Sequence, residues 1–364
     1  RPMIRAEESE AYNRGAAEIG DGAASAVEQR VLGWCRSHKD ATVAEKREAA
    51  KLIMEGFVQA YDDKAAEFAS QWYDYRAEQG GARLKQAVTM TVYEPGSVDD
   101  VARYQAKKHA KEGDAAFASA CGEFARNDAF RSLNETIIAN VGRDRDKGAM
   151  FARVPTGTET CTFCLMLASR GAVYHTRKTA GEWRHFHRGC DCKVVPSFEG
   201  DPDAELVQGV KPRELYERYK QFKEIDSEES LTRGQRNVAK MKITRGATSS
   251  DAVAFARDHV LKSSQVLFTD KQVGKKLGKH AGDWGLDPGS DKDRNKLLSI
   301  IRRIIDEADR VDFGIWRGQI GPCAFYIKGN DLVLIDGNGK FASVMKGGVN
   351  NKRYKSGTAR GDRD

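Results

Sequence analysis

Two tight clusters of metal-type ligands constrain this chain more than any other feature: Cys161-Thr-Phe-Cys164, and His187-Arg-Gly-Cys190-Asp-Cys192. A CxxC turn presents two thiolates from one short loop, and the second cluster adds an imidazole and two thiols. Five side chains therefore compete for the four positions of a tetrahedral zinc site. The expected ligands are Cys161, Cys164, His187 and Cys190, with Cys192 able to replace Cys190. Four protein ligands close the coordination sphere and leave no position for an activated water, so the expected role of the zinc is structural. Such an ion supplies about 10–16 kcal/mol in small modules, enough to stand in for a core that residues 151 to 200, rich in Gly, Cys and Pro, do not provide. A disulfide among the same thiols is the rival reading, and a catalytic zinc is the weakest. His175 and His185 read as surface histidines. The chain has 7 cysteines, of which Cys35, Cys121 and Cys323 stand alone. An odd count with clustered thiols argues against a disulfide framework and for metal binding in a reducing compartment.

A length of 364 residues implies two or three domains. No stretch approaches the roughly 20 apolar residues of a membrane span. The opening Arg1-Pro-Met-Ile-Arg5 lacks the apolar centre of a signal peptide, and a start without Met is what a trimmed chain would show. A net charge of +7 permits contact with nucleic acid without requiring it.

Residues 1–150 read as helical. Thr42-Val-Ala-Glu45 is a capping box, followed by Ala49, Ile53, Phe57, Tyr61, Ala65, Phe68 and Trp72 at helical spacing, a stripe that reads as core. Gly80-Gly81 stops this helix. Ala87-Val-Thr-Met-Thr-Val-Tyr93 has the composition of a strand and ends at Pro95-Gly96, after which another helix starts near Ser97. Leu165 to Gly171 reads as a short helix closed by glycine. Pro212 to Tyr219 is a short amphipathic helix, and residues 221–262 read as a charged linker. Further on, Gln265 to Phe268 is a candidate strand. Lys275 to Ala281 starts a helix, and Leu297, Leu298, Ile300, Ile301, Ile304 and Ile305 form an amphipathic stripe. A meander follows over 311–317, 323–328, 331–335 and 340–345, with turns at Gly329-Asn330 and Gly337-Asn-Gly339. Asp331 and Asp336 lie at these turns and are expected to serve turn geometry. The basic stretch 349–364 reads as a disordered tail. The fold class is α+β and multidomain: a mainly helical N-terminal region, a zinc-knuckle segment, and a C-terminal α+β domain with an antiparallel meander.

The runs Phe151-Ala-Arg-Val-Pro155, Cys161-Thr-Phe-Cys-Leu-Met-Leu-Ala-Ser-Arg-Gly171, Tyr174 and Phe186-His-Arg-Gly-Cys-Asp-Cys-Lys-Val-Val-Pro196 closely resemble the Mu F-like minor head proteins of tailed phages. The resemblance covers about residues 1–220, with 1–150 as the helical minor-head domain and 151–220 as its zinc-knuckle part. It implies a virion component in the head interior, made in the host cytoplasm, whose partners are the phage portal and capsid proteins. Several members of this family carry extra C-terminal domains, often toxins or other effectors.

Residues 263–348 resemble the barnase, EndoU, colicin and RelE-like nuclease group through element order and Lys276-Leu-Gly-Lys-His280. This resemblance implies an RNase-like effector acting on RNA or DNA. In metal-independent RNA cleavage His280 would serve as general acid or base. Lys276, one turn earlier on the same face, would stabilise the phosphorane with help from Lys279 or Arg317. Asp283 would orient the imidazole, Trp284 or Trp316 would stack a base, and Ser343 occupies a last-strand position where the phage group is expected to carry Ser or Thr. The plain alternative is a solvated lysine-rich helix with an incidental histidine. At the level of the whole chain, the alternatives are a structural head protein whose C-terminal domain binds nucleic acid or portal without catalysis, and a polymorphic toxin with a delivery module.

Overall fold

The computed structural model describes residues 4–109, 113–156, 160–180, 192–198, 200–319 and 322–361. The chain forms two compact units, Arg1–Tyr219 and Lys220–Asp364. In both, an α+β architecture results, helical at the front and with an antiparallel sheet at the back.

The first unit is built on four helices, α1 (Ala6–Ser37), α2 (Val43–Gln79), α3 (Pro95–His109) and α4 (Asp114–Arg143). The capping box at the start of α2 is formed: the Thr42 amide donates to Glu45 Oε2 at 2.7 Å and the Glu45 amide to Thr42 Oγ1 at 3.3 Å. The buried face of α2 lies one residue beyond the expected stripe. It runs through Ala50, Met54, Val58, Asp62, Ala65, Ala66, Ala69 and Tyr73, while Ile53, Phe57, Tyr61, Phe68 and Trp72 flank it half-buried. The reason is steric. Alanines fill the helix contacts, with Ala23 of α1 and Ala118, Ala125 and Ala129 of α4 also buried, so the backbones approach too closely for large side chains between them. At the tightest point a Cβ on Gly122 would stand 2.6 Å from the Ala24 carbonyl oxygen.

After α4 come β1 (Met150–Pro155), α5 (Thr162–Ala168), β2 (Cys192–Ser197) and α6 (Pro212–Ser227). β1 and β2 form an antiparallel ribbon in which Arg153 pairs with Val194 and Pro155 with Cys192. α4 lies against both strands. Gly171 has φ +68°, and a Cβ there would run into the Pro202 carbonyl oxygen, so only glycine closes this corner.

Residues 87–93 are extended but join no sheet. The expected strand is instead held by side chains of α4. The Val88 amide donates to Asn140 Oδ1 at 2.9 Å, that of Met90 to Thr136 Oγ1 at 2.9 Å, and that of Val92 to Ser132 Oγ at 3.0 Å. In return Asn140 Nδ2 donates to the Val88 carbonyl at 2.7 Å and Thr136 Oγ1 to that of Met90 at 2.9 Å. Residues four apart on a helix share a face, so Ser132, Thr136 and Asn140 act together as the edge of a neighbouring strand.

The second unit contains α7 (Arg233–Thr244), α8 (Ser249–His259), α9 (Asp270–His280), α10 (Asp291–Asp306), the strands β3 (Arg310–Ile315), β4 (Pro322–Lys328), β5 (Asp331–Ile335) and β6 (Phe341–Met345), and α11 (Lys352–Gly361). The strands form one antiparallel meander in the order β3-β4-β5-β6. Asp336 Oδ1 accepts from the amides of Asn338 and Lys340, each at 2.9 Å, and Asp331 Oδ1 accepts from Gly347 at 2.9 Å. Both therefore shape the ends of the meander.

Three expectations are corrected here. Residues 221–262 are not a linker: Gln235 Nε2 donates to the Val260 carbonyl at 2.7 Å, Asn237 reaches the Asp309 carbonyl, and the Leu261 amide donates to Tyr326 Oη at 2.6 Å. These polar bonds add to buried apolar positions, Phe222, Ile225, Leu231, Val238, Ile243 and Val260, that are spread thinly among charged residues. Residues 265–268 are not a strand and make only an isolated bridge, Leu267 to Lys340. The basic tail is not disordered over 352–361 but helical. Tyr354 is buried against Phe325 and bonds Asp312 and Arg310, while Gly314 and Gly357 let α11 lie directly on β3.

Inside the first unit, Asp62 on α2 and Asp128 on α4 are almost fully buried. The two carboxyls lie against each other, with the Ser132 hydroxyl also at Asp62, so a proton held on Asp62 is donated to Asp128. Arg131 pairs with Asp128 Oδ1 at 2.8 Å but is 40% exposed. Burial, then the neighbouring Asp128 charge, push the Asp62 carboxyl up to about 8; burial also raises Asp128. A carboxyl raised on folding makes the native state bind more protons than the unfolded chain between about pH 4 and 8, so this pair lowers stability as pH rises through that range. Asp62→Asn removes the linkage. The expected outcome is a higher melting temperature than wild type at pH 8, with the difference shrinking towards pH 5. A difference that does not change with pH would contradict the assignment.

Candidate functional site

The thiol corner forms where β1 ends and α5 begins. Cys161 is the N-cap of α5, and the Cys164 amide donates to its Sγ at 3.3 Å. Cys164 is buried. Beside it lies Arg153 of β1, only 1% exposed, whose Nη2 is 3.7 Å from Cys164 Sγ and whose Nη1 donates to the Ala180 carbonyl at 3.3 Å. A buried guanidinium needs anionic or carbonyl partners, and sulfur in its thiolate form is one. Cys192 is buried at the start of β2, opposite Pro155, the residue from which the chain leaves towards Cys161. Tyr174 supports the corner from behind: its Oη donates to the Leu167 carbonyl at 2.8 Å and its backbone pairs with Phe151. His175 Nδ1 stands 2.9 Å from the Ala149 carbonyl oxygen.

His187, Cys190 and His185 lie outside the described residues. Among the described residues no group of three or more His, Cys, Asp or Glu stands together as a metal site. The expected zinc knuckle is therefore not assembled from Cys161, Cys164 and Cys192 alone. The donors present nonetheless suit a soft metal in kind: two thiols in a CxxC turn, with a buried cation able to offset the negative charge that thiolate ligands bring.

In the second unit His280 ends α9, with its side chain 14% exposed. Its Nδ1 lies 3.0 Å from Asp283 Oδ2, a pairing that fixes the ring's orientation and leaves Nε2 as the remaining nitrogen. Lys276 stands one turn earlier; burial, then Lys279 and Lys275, push its ammonium below the ordinary lysine value. Ser343 and Arg317 do not join this group by any hydrogen bond among the described residues. Ser343 is buried on β6, in register with Leu334, whose side chain belongs to the cluster of Cys323, Phe325 and Tyr354. α9 is tied to the same strand by Gln272 Nε2, which donates to the Ala342 carbonyl at 2.8 Å. Arg317 follows Trp316 in the β3–β4 connection, and that indole packs edge-on against Phe325 at 6.0 Å.

Two features went unread in the sequence. Arg153 looks like an ordinary strand residue, and only the pairing with Val194 puts it at the core beside Cys164. The polar row Ser132, Thr136 and Asn140 was visible as an i, i+4, i+8 pattern, yet nothing in the sequence said what it would bind.

Among the described residues no helix is long and apolar enough to cross a membrane. No solved structure matches the chain. The chain is similar to the Gene 15 protein of Mycobacterium phage D29, 35% identical over 14% of this chain and 28% of that protein. It is also similar to the Gene 15 protein of Mycobacterium phage L5, 33% identical over 14% of this chain and 29% of that protein. The matched region thus spans under a third of either relative. A family model described as VG15 protein matches residues 3–222, more than half of the chain and nearly the whole of the first compact unit, and so the chain belongs to the VG15 protein family.

Proposed function

We propose that this protein is a minor head component of the Mu F type, associating with the portal and capsid proteins during head assembly and remaining in the virion. The observation that carries this reading is that the family match over residues 3–222 and the first compact unit, ending at Tyr219, coincide and together enclose the cysteine runs. Phage relatives among the similar proteins support the same setting.

In this reading Cys161, Cys164, His187 and Cys190, or Cys192 in place of Cys190, hold a structural zinc. Bound there, the ion supplies a cross-link between the start of α5 and the segment leading into β2. Arg153 and Tyr174 set the corner in place, Arg153 through charge and Tyr174 through its bond to Leu167. Co-expression with the portal protein of the same phage tests both parts. A complex that purifies with stoichiometric zinc is expected, and Cys161→Ser should lose the metal and most of the portal binding. No co-purification with portal would remove the head-protein reading. Portal binding without zinc, or with thiols joined as a disulfide by mass spectrometry, would remove the metal alone.

A second activity, RNA cleavage by the C-terminal unit, is favoured by one observation: His280 is held by Asp283 and sits one turn from a partly desolvated Lys276. The imidazole would exchange a proton with the 2′-hydroxyl or the leaving 5′-oxygen, and the ammonium would stabilise the phosphorane. Full-length protein should cleave RNA, with His280→Ala reduced at least about 100-fold, the low end of what a general acid or base contributes. Equal cleavage by both proteins would remove the role given to His280, and no cleavage by either would leave a purely structural C-terminal unit.

A further inference from the structure

Extended backbone sends the N–H and C=O of successive residues to opposite edges. Over residues 88–92 the amides of Val88, Met90 and Val92 and the carbonyls of Val88 and Met90 are used on α4. The odd-numbered Thr89 and Thr91 therefore point theirs away from the helix. Both residues are exposed, and among the described residues neither makes a hydrogen bond. Beside this open edge Val88 and Met90 are 50% and 48% exposed. Proteins usually blunt such an edge with lysine, proline or a bulge. Here no charge and no proline falls between Ala87 and Tyr93.

The sequence of the edge also specifies what fits it. Val88-Thr-Met-Thr-Val92 reads the same in both directions. Two copies laid antiparallel about Met90 place Thr89 opposite Thr91 of the second copy, and Thr91 opposite the second copy's Thr89. Those are the residues with outward backbone groups, so each pair exchanges two hydrogen bonds. Val88 then faces Val92 of the second copy and Met90 faces its own counterpart, while threonine pairs sit opposite one another, a favoured cross-strand combination. The open edge ends at Val88, because the Ala87 amide donates to Asp74 Oδ1 at 2.8 Å and the Gln86 and Lys85 carbonyls accept from Arg143. A two-fold axis needs a self-complementary patch, and this segment is one in backbone and side chain.

We propose that residues 88–92 form a two-stranded antiparallel ribbon with the same segment of a second copy of this chain, centred on Met90. The ribbon is small for an interface, so the free dimer is weak and concentration-dependent, and it is suited to strengthening when several copies are held together in an assembly.

Cysteine cross-linking reads the register directly. Across a non-hydrogen-bonded antiparallel pair the Cα atoms are about 4.5 Å apart, within the range of a disulfide. Under mild oxidation full-length Met90→Cys is expected to give mostly reducible dimer, against little for the parent chain. Thr89→Cys, whose counterpart is displaced two residues along, should give little. Adding Thr91→Pro to Met90→Cys removes one outward N–H while sparing every bond to α4, so it should abolish the dimer at an unchanged melting temperature. Cross-linking of Met90→Cys no greater than in the parent would overturn the proposal. So would equal cross-linking of Thr89→Cys, or a dimer that survives Thr91→Pro. An edge that instead recruits a strand from a different protein would show as the first of these results.

Discussion

Helix α4 is the constraint on which the first unit depends. Its small-residue face lets α1 and α2 approach so closely that Gly122 lies against the Ala24 carbonyl. Its polar row, Ser132, Thr136 and Asn140, takes up the backbone of residues 88–92. Between these, Asn134 Oδ1 accepts from the Val194 amide at 3.1 Å and so holds β2. One helix thus fixes its neighbouring helices, an extended segment and the ribbon that carries the thiol corner. The contacts to residues 88–92 and to β2 are polar, and where such groups are shielded an unmade hydrogen bond costs more than a made one gains. They therefore specify the arrangement more than they stabilise it. The buried Asp62–Asp128 pair is an exception, a destabilising feature inside the same bundle.

Much of the fold was legible because local chemistry agreed with it. The capping box at Thr42, the glycine stop at 80–81 and the turns of the C-terminal meander each act through residues adjacent in sequence. What was not legible depended on partners far along the chain. Residues 87–93 have the composition of a strand, and only α4 decides that their partner is a row of side chains. The segment 221–262 buries Val238, Ile243, Ala252 and Ala256, but its high charge hid that face, and the bonds of Gln235, Asn237 and Leu261 to main-chain or hydroxyl groups have no local signature. The tail becomes helical over 352–361 because Tyr354 finds Phe325 and Asp312. At the candidate sites the sequence identified cysteines and a Lys-His helix by type. It did not show that Arg153 would stand beside Cys164, or that Ser343 would face the sheet's own core.

The division into two units matches the division of function proposed for them. The first carries the VG15 family match and the thiol corner; the second lies almost wholly outside that match and carries the His280–Asp283 pair. An extended segment with one edge satisfied internally and the other open suits a protein that works inside an assembly. The inner edge is fixed by folding, which leaves the outer one presented at little conformational cost.

The central structural claim is that α4 side chains serve as a strand edge for residues 88–92. Residue-resolved amide hydrogen exchange, on protein dilute enough to be monomeric, tests it most directly. Alternating protection is predicted, with Val88, Met90 and Val92 slow and Thr89 and Thr91 fast. Uniformly fast exchange along the segment, or slow exchange at the threonines, would contradict the account.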